Sequence, residues 1–137
     1  MIGVVVITHG TLSEQLLATA ALIMGDQKDV YAVSFTARES LDNLRQKANT
    51  AIEPFKTDGC LILTDIMGGS ATNVCVELMK NEKVEVLTGA NLPMLLEAIS
   101  YRDGADLKAL AARVQASGVK SIINLKEFFE KRAAKKA

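Results

Sequence analysis

The chain has 137 residues, of which 49% are hydrophobic, and its 16 basic and 16 acidic residues cancel. This length and composition predict one globular domain. The equal numbers of basic and acidic residues exclude an overall positive field of the kind that attracts nucleic acid. No apolar run approaches the ~20 residues of a membrane-spanning helix, and the amino terminus lacks the basic region of a signal peptide. The two cysteines, Cys60 and Cys75, fall at predicted buried positions. We therefore expect a cytoplasmic protein from a reducing compartment that binds no nucleic acid.

Strand-like and helix-like segments alternate along the chain. Residues 2–8 are apolar and rich in β-branched side chains, which predicts a strand covered on both faces. A helix should follow and end at Gly25, and Thr11 and Glu14 at its start have the spacing of a capping box. Further strands are predicted at residues 30–35, 59–64 and 84–88, and further helices at residues 41–55, 71–79 and 92–99.

The last third of the chain has weaker signals. Asp106 could cap a helix that Gly118 would close, and residues 119–125 alternate in the manner of a last strand. The chain contains no internal repeat, low-complexity tract or linker. We predict one domain over residues 1–137, with a core at 1–124 and a tail at 125–137.

These elements predict a single-domain α/β fold. Successive β-α units favour an open, mainly parallel sheet of about four strands with helices on both faces, and with the first strand between the second and the third. The segment at residues 119–125 would add an antiparallel strand at the edge. In this arrangement a crevice opens between the carboxyl ends of the first and third strands, so the residues after these strands should face each other.

Two titratable residues fall at this crevice. His9, the only histidine, follows the first strand, and Asp65 follows the third. If Asp65 accepts a hydrogen bond from His9 Nδ1, it fixes the tautomer, leaves the Nε2 lone pair free and stabilises a positively charged ring. Each residue also has a structural interpretation, with His9 as a turn residue and Asp65 as a turn or cap residue.

A glycine-containing loop follows Asp65. Gly68 and Gly69 allow close approach of a ligand, and Ser70 lies near the start of a helix, where free amides bind anions. Thr72 and Asn73 would add donors. The loop matches no nucleotide fingerprint, and one histidine with one acid falls short of a metal site. These residues favour a phosphohistidine site in which Nε2 attacks phosphorus in line, with no metal and no cofactor.

Taken together, these segments resemble the mannose-type EIIA domains of the bacterial phosphoenolpyruvate-dependent sugar phosphotransferase system. The order and spacing of the matching segments hold from the first strand to about Asn124. The segments that match are Gly3 to Gly10 ending in Thr8-His9-Gly10, residues 14–17, Thr64-Asp65, Gly68-Gly69-Ser70 with Asn73, and residues 88–95.

The resemblance implies a phosphotransferase component. His9 would accept a phosphoryl group from the carrier HPr and pass it to a histidine of a IIB protein. Asp65 would be the acid partner, and Ser70 would contact the phosphoryl group. It also implies a homodimer in which the last strand is exchanged between subunits, and contact with the membrane only through IIB, IIC and IID partners.

Other functions stay open at this stage. A regulatory protein would use the phosphoryl group, with a charge of about −2, as a switch between partners. A non-catalytic module would hold a phosphate-bearing ligand at Gly68 to Ser70, and His9→Gln would still bind it. A hydrolase or mutase would want a basic side chain beside the phosphate. The phosphohistidine subunit of dihydroxyacetone kinase is also related, but its loop tends to be Gly-Ser-Ala, so Gly68-Gly69-Ser70 favours the mannose type.

Overall fold

Four parallel strands and six α-helices alternate along the chain in the computed structural model, which describes residues 1–136. The strands are β1 (Gly3–His9), β2 (Val30–Phe35), β3 (Cys60–Thr64) and β4 (Val84–Leu87). The helices are α1 (Leu12–Met24), α2 (Leu41–Ile52), α3 (Gly69–Leu78), α4 (Leu92–Tyr101), α5 (Leu107–Lys120) and α6 (Leu125–Lys136), with a short 3-10 helix at Glu53–Phe55.

The strands form one sheet in the order β2-β1-β3-β4, and every neighbouring pair is parallel. Val5 of β1 lies between Tyr31 of β2 and Ile62 of β3, which fixes the register. The central position of β1 confirms the predicted strand order. Because parallel strands end at the same edge, the residues that follow β1 and β3 meet there.

The core has two layers, one on each face of the sheet. Val5 and Ile7 of β1 pack on the side of α2 and α3, whereas Val4 and Val6 pack on the side of α1, α4 and α5. All four valine and isoleucine side chains are almost completely buried. This double coverage explains the uninterrupted apolar run in β1, and it confirms the predicted helices on both faces.

The predicted antiparallel strand at residues 119–125 is wrong. Residues 119 and 120 complete α5, residues 121–124 connect two helices, and Leu125 begins α6. Gly118 does not close α5, because it serves as a packing residue: a Cβ atom there would lie 2.6 Å from Met94 Cγ. Because this segment is not a strand in the structure, the predicted exchange of a strand between subunits is not supported here.

The second helix is shorter than predicted. The α-helix ends at Ile52, and residues 53–55 continue as a 3-10 turn that contains Pro54. Proline lacks the N–H group that an α-helix would use and favours such an ending. Phe55 at the end of the turn is buried against the sheet.

The contact between Phe55 and the start of β1 gives a test of core packing. A Cβ atom on Gly3 would lie 2.2–2.4 Å from the Phe55 ring, so Gly3→Ala forces the ring or the strand to move. We expect the free energy of unfolding, measured in urea, to fall by about 1–3 kcal/mol. In a Phe55→Leu background the same Gly3→Ala change should cost less, and an equal cost in both backgrounds would contradict this packing.

Candidate active site

His9 is the last residue of β1 and stands at the carboxyl edge of the sheet. Its side chain is 49% exposed, and its ring meets the edge of Phe35 on β2 with the ring centroids 5.6 Å apart. The chain then turns at Gly10, which has φ +56° and donates its N–H to the Phe35 carbonyl at 2.8 Å. The β2 strand thus supports both the ring and the turn that follows it.

The amino terminus of α1 is held by Thr8. The Thr8 hydroxyl is fully buried and accepts a hydrogen bond from the Ser13 amide at 2.6 Å. The predicted capping box is wrong, since the Thr11 side chain makes no capping hydrogen bond and Glu14 instead accepts from the Ser34 hydroxyl. A threonine inside the strand therefore fixes the helix that begins directly after His9.

Asp65 follows β3 and contacts His9 twice. Asp65 Oδ2 lies 3.0 Å from His9 Nδ1 and accepts from the His9 backbone amide at 2.9 Å. Asp65 Oδ1 accepts from the Ile66 amide at 2.8 Å. The Asp65 side chain is only 12% exposed. Both carboxylate oxygens are thus occupied by donors, and the carboxylate is fixed beside the ring.

These contacts set the charge of Asp65 and the tautomer of His9. Burial on its own raises the pKa of Asp65, but the hydrogen bonds from His9 and Ile66 outweigh it and hold the pKa below its ordinary value. Asp65 is therefore an ionised acceptor at neutral pH, and Nδ1 must be the donor. In the neutral ring this leaves a lone pair on Nε2, which has no hydrogen-bond partner within residues 1–136.

The lowered pKa of Asp65 predicts a loss of stability in acid. A carboxyl group whose pKa falls on folding stabilises the folded state above its unfolded pKa, and this contribution is lost as the pH falls through the folded pKa. We expect wild type to exceed Asp65→Asn in unfolding free energy at about pH 7 and the gap to narrow towards about pH 3. Urea unfolding across this range measures the gap, and a gap that widens in acid would contradict the stabilisation of the Asp65 carboxylate by these hydrogen bonds.

The loop after Asp65 leads into the amino terminus of α3. Gly68 occupies the N-cap of α3 with φ +116°, and Gly69 begins the helix with φ +75°. A glycine N-cap has no side chain to cover the first amides of the helix, so these donors stay free for an anion. Ser70, in the first turn, is partly exposed, and its hydroxyl has no hydrogen-bond partner within the described residues.

The other two predicted donors are placed differently. The Thr72 hydroxyl accepts from the Gly68 amide at 2.7 Å and donates to the Gly68 carbonyl at 3.1 Å, so it closes the loop on itself. Asn73 is exposed on the same turn of α3. The structure thus brings His9 and Asp65 into contact, α3 begins four residues after Asp65, and Thr72 is a brace of the loop between them.

The loop after β4 is hydrogen-bonded to the end of β3 and to Asp65, a role that was not predicted from the sequence. The Gly89 amide donates to the Asp65 carbonyl at 3.1 Å, and the Ala90 amide donates to the Thr64 carbonyl at 2.9 Å. Gly89 has φ +74°, a conformation that favours glycine. A glycine directly after the predicted strand at residues 84–88 was the available signal, but its partner Asp65 follows β3, far earlier in the chain.

The arrangement combines an oriented imidazole, a carboxylate and free helix amides. No group of three or more metal-ligating side chains occurs within residues 1–136. No lysine or arginine side chain forms a hydrogen bond with His9, Asp65 or the loop in this part of the chain. The site can therefore hold a small anion through backbone donors and present a nucleophilic nitrogen to it.

Comparison with known proteins places this site in a family. The family model described as "PTS system fructose IIA component" (EIIA-man) matches residues 3–115. The chain belongs to this family. Its members are components of the sugar phosphotransferase system, in line with the resemblance seen in the sequence.

Individual EIIA proteins match over most of this chain. The mannose-specific EIIAB component of Escherichia coli K12 is 36% identical over 127 residues, which are 88% of this chain and 39% of that protein. The fructose-specific EIIA component of Bacillus subtilis is 29% identical and covers 96% of this chain and 91% of its own length. The crystal structure of phosphotransferase system component EIIA from Streptococcus agalactiae has a TM-score of 0.86, with 30% identity over 93% of this chain and 99% of its own.

Two further facts concern the length of the relatives and the helices of this chain. This EIIA chain spans 39% of the length of the mannose-specific EIIAB components that it matches. None of the helices within residues 1–136 is both long and apolar enough to cross a membrane.

Proposed function

We propose that this chain is a phosphocarrier in which His9 receives a phosphoryl group from HPr and passes it to a histidine of a IIB protein. The contact between Asp65 Oδ2 and His9 Nδ1 at 3.0 Å carries this proposal, because it directs the Nε2 lone pair away from the carboxylate. The membership of the EIIA family supports the same chemistry.

The transfer is an in-line displacement at phosphorus. The Nε2 lone pair forms a bond to phosphorus while the bond from phosphorus to the donor's ring nitrogen breaks, and its electron pair stays on that nitrogen. The His9 ring becomes positively charged, and the Asp65 carboxylate stabilises it through the Nδ1 proton. The amides at the start of α3, with Ser70, would hold the phosphoryl oxygens in this step. The reverse displacement delivers the group to the acceptor.

The exposure of the site favours protein partners over an enclosed small ligand. The His9 side chain is half exposed, and Ile66 and Met67 beside Asp65 are exposed apolar residues. A carrier must present its phosphohistidine to the surface of another protein, whereas small-molecule sites bury most of the ligand. This observation weighs against the non-catalytic module that holds a small phosphate-bearing ligand.

The finer assignments belong to the same proposal. We place the protein in the cytoplasm as a homodimer, in contact with the membrane components of the system only through IIB. Transfer to IIB and a purely regulatory use of phosphorylated His9 share the same first step, and they differ in whether an acceptor histidine removes the group.

The first step is tested by intact-mass analysis. The protein is incubated with phosphoenolpyruvate, enzyme I and HPr, with His9→Gln as the matched variant, because glutamine keeps hydrogen-bonding capacity but has no nucleophilic ring nitrogen. We expect wild type alone to gain one acid-labile phosphoryl group. A folded wild-type protein that gains none from its cognate HPr would overturn the proposal and leave phosphate-ligand binding at the α3 loop as the function to test.

A further inference from the structure

Met67 is the most exposed methionine of the chain and lies in the loop that carries Asp65. It follows Asp65 by two residues, which span at most ~7 Å of backbone. The Asp65 carboxylate in turn lies 3.0 Å from His9 Nδ1. Since Met67 is 79% exposed, its thioether is open to solvent close to the ring that would carry the phosphoryl group.

The other methionines are buried or lie far from His9. Met94 is only 4% exposed and packs in the core. Met79 is half exposed, but it caps the carboxyl end of α3, whose ten residues span ~15 Å. Met1 precedes β1, and Met24 ends α1, so both lie towards the opposite edge of the sheet. Met67 is therefore the methionine at the edge where His9 stands.

The two cysteines do not compete with Met67 for an oxidant. Both are buried, and burial raises the pKa of the Cys60 thiol to about 12 and that of the Cys75 thiol to about 11. Oxidants attack the thiolate, so these thiols are inert at neutral pH. A thioether has no proton to lose, and its reactivity depends on its exposure.

Met67 also belongs to the exposed apolar rim of the site, which we define as Leu12, Ile66 and Met67. Leu12 follows His9 by three residues, and the other two directly follow Asp65. A protein that delivers a phosphoryl group to His9 Nε2 must bring its surface to that atom. A typical interface covers about 800 Å² of each partner, a disc of roughly 16 Å radius. A docked carrier therefore covers Met67, where the adaptable thioether gives an apolar contact.

We propose that Met67 is a site of reversible oxidation that controls the docking of HPr at His9, an inference that rests on the phosphocarrier function proposed above. A peroxide is the oxidant. An S–O bond forms while the O–O bond breaks, the sulfur loses two electrons, and the second peroxide oxygen leaves as water with both protons. The sulfoxide puts a polar oxygen into an apolar contact, and methionine sulfoxide reductases return it to the thioether.

Transfer kinetics before and after peroxide treatment test this site. The KM for phosphorylated HPr and kcat are measured for wild type, for Met67→Leu, which has no sulfur, and for Met67→Gln, which is polar without oxidation. Met79→Leu is the matched control, since it removes an exposed methionine at the other end of α3. Peptide mass analysis locates the added oxygen, and circular dichroism establishes that each treated sample is folded.

We expect peroxide to raise the KM of wild type and of Met79→Leu roughly 10-fold, because one unpaired polar group weakens an interface by about that factor. The change in kcat should be smaller, since Met67 does not touch the reacting atoms. Reductases for both sulfoxide epimers should restore the KM. The KM of Met67→Leu should not respond to peroxide, and that of Met67→Gln should be raised before treatment.

The proposal is overturned if wild type that carries Met67 sulfoxide keeps its untreated KM, or if peroxide oxidises Met79 but not Met67. It is overturned equally if Met67→Leu is as sensitive to peroxide as wild type. A different failure is seen if untreated wild type gains no phosphoryl group from HPr: the phosphocarrier function itself is then wrong, and the control of docking fails with it.

Discussion

Asp65→Asn should lower the rate at which the protein accepts a phosphoryl group by about 10³–10⁴-fold, the size of effect expected when the acid that orients a catalytic histidine is neutralised. Asp65 Oδ2 accepts from both the His9 amide and His9 Nδ1, and Oδ1 accepts from the Ile66 amide. An asparagine must place its NH₂ group against one of these donors, so at least one hydrogen bond is lost in either orientation. It also removes the negative charge that stabilises the phosphorylated ring.

The rate is measured by rapid-quench transfer from phosphorylated HPr, with the mass gain as the readout. Asp42→Asn on the exposed start of α2 is a matched control, since it removes a carboxylate that does not contact His9. The control should transfer at the wild-type rate. If the transfer rate of folded Asp65→Asn stays within about threefold of the wild-type rate, Asp65 does not orient His9 for the reaction.

The second large effect concerns stability and comes from Arg102. This side chain is only 3% exposed, and burial lowers the pKa of its guanidinium. It donates to the backbone carbonyls of Ile2 at 3.4 Å and Asp29 at 2.9 Å, and also to that of Lys28. Arg102 thereby ties the end of α4 to the start of β1 and to the turn before β2.

We expect Arg102→Met to lower the free energy of unfolding by about 2–4 kcal/mol, because methionine fills the space but removes the donors to the Ile2 and Lys28 carbonyls. The Asp29 carbonyl keeps the Val4 amide as a donor. Arg38→Met is the matched control: Arg38 is exposed, and its replacement should change stability by less than about 0.5 kcal/mol. Urea unfolding of both variants measures the difference. If the two variants have equal free energies of unfolding, the buried guanidinium makes no net contribution to the stability of the protein.

The sequence predicted the sheet and the crevice because their signals are local. The apolar runs of β1 and β3 identify buried parallel strands, and the strand order then brings His9 and Asp65 to one edge. The Gly68-Gly69 pair likewise indicated a helix start with uncovered amides. Each of these inferences depends on a pattern within a few residues and on a topology rule that applies to most α/β folds.

The features that could not be predicted from the sequence are hydrogen bonds between residues that lie apart along the chain. The buried position of Arg102 could not be predicted, because the backbone carbonyls that it contacts are 73–100 residues away along the chain. The capping role of Thr8 was hidden because its side chain counts as part of the strand.

The segment at residues 119–125 shows a different limit. Val119, Ile122 and Ile123 follow the i, i+3, i+4 spacing of a helix, whereas Val119, Ile123 and Leu125 fall on one face of an alternating strand. So short a pattern does not decide between the two. Gly118 lies close to Met94, where a larger residue would not fit, and α5 continues past it to Lys120. That contact is a tertiary one, which the local pattern does not show.

The proposed phosphocarrier mechanism depends most directly on which atom carries the phosphoryl group. Phosphorus NMR of the phosphorylated protein, combined with nitrogen labelling of its single histidine, distinguishes Nε2 from Nδ1. Since Nδ1 donates to Asp65 at 3.0 Å, we predict one phosphohistidine signal with phosphorus bonded to Nε2 of His9. A phosphoryl group on Nδ1, or on a residue other than His9, would contradict the central claim.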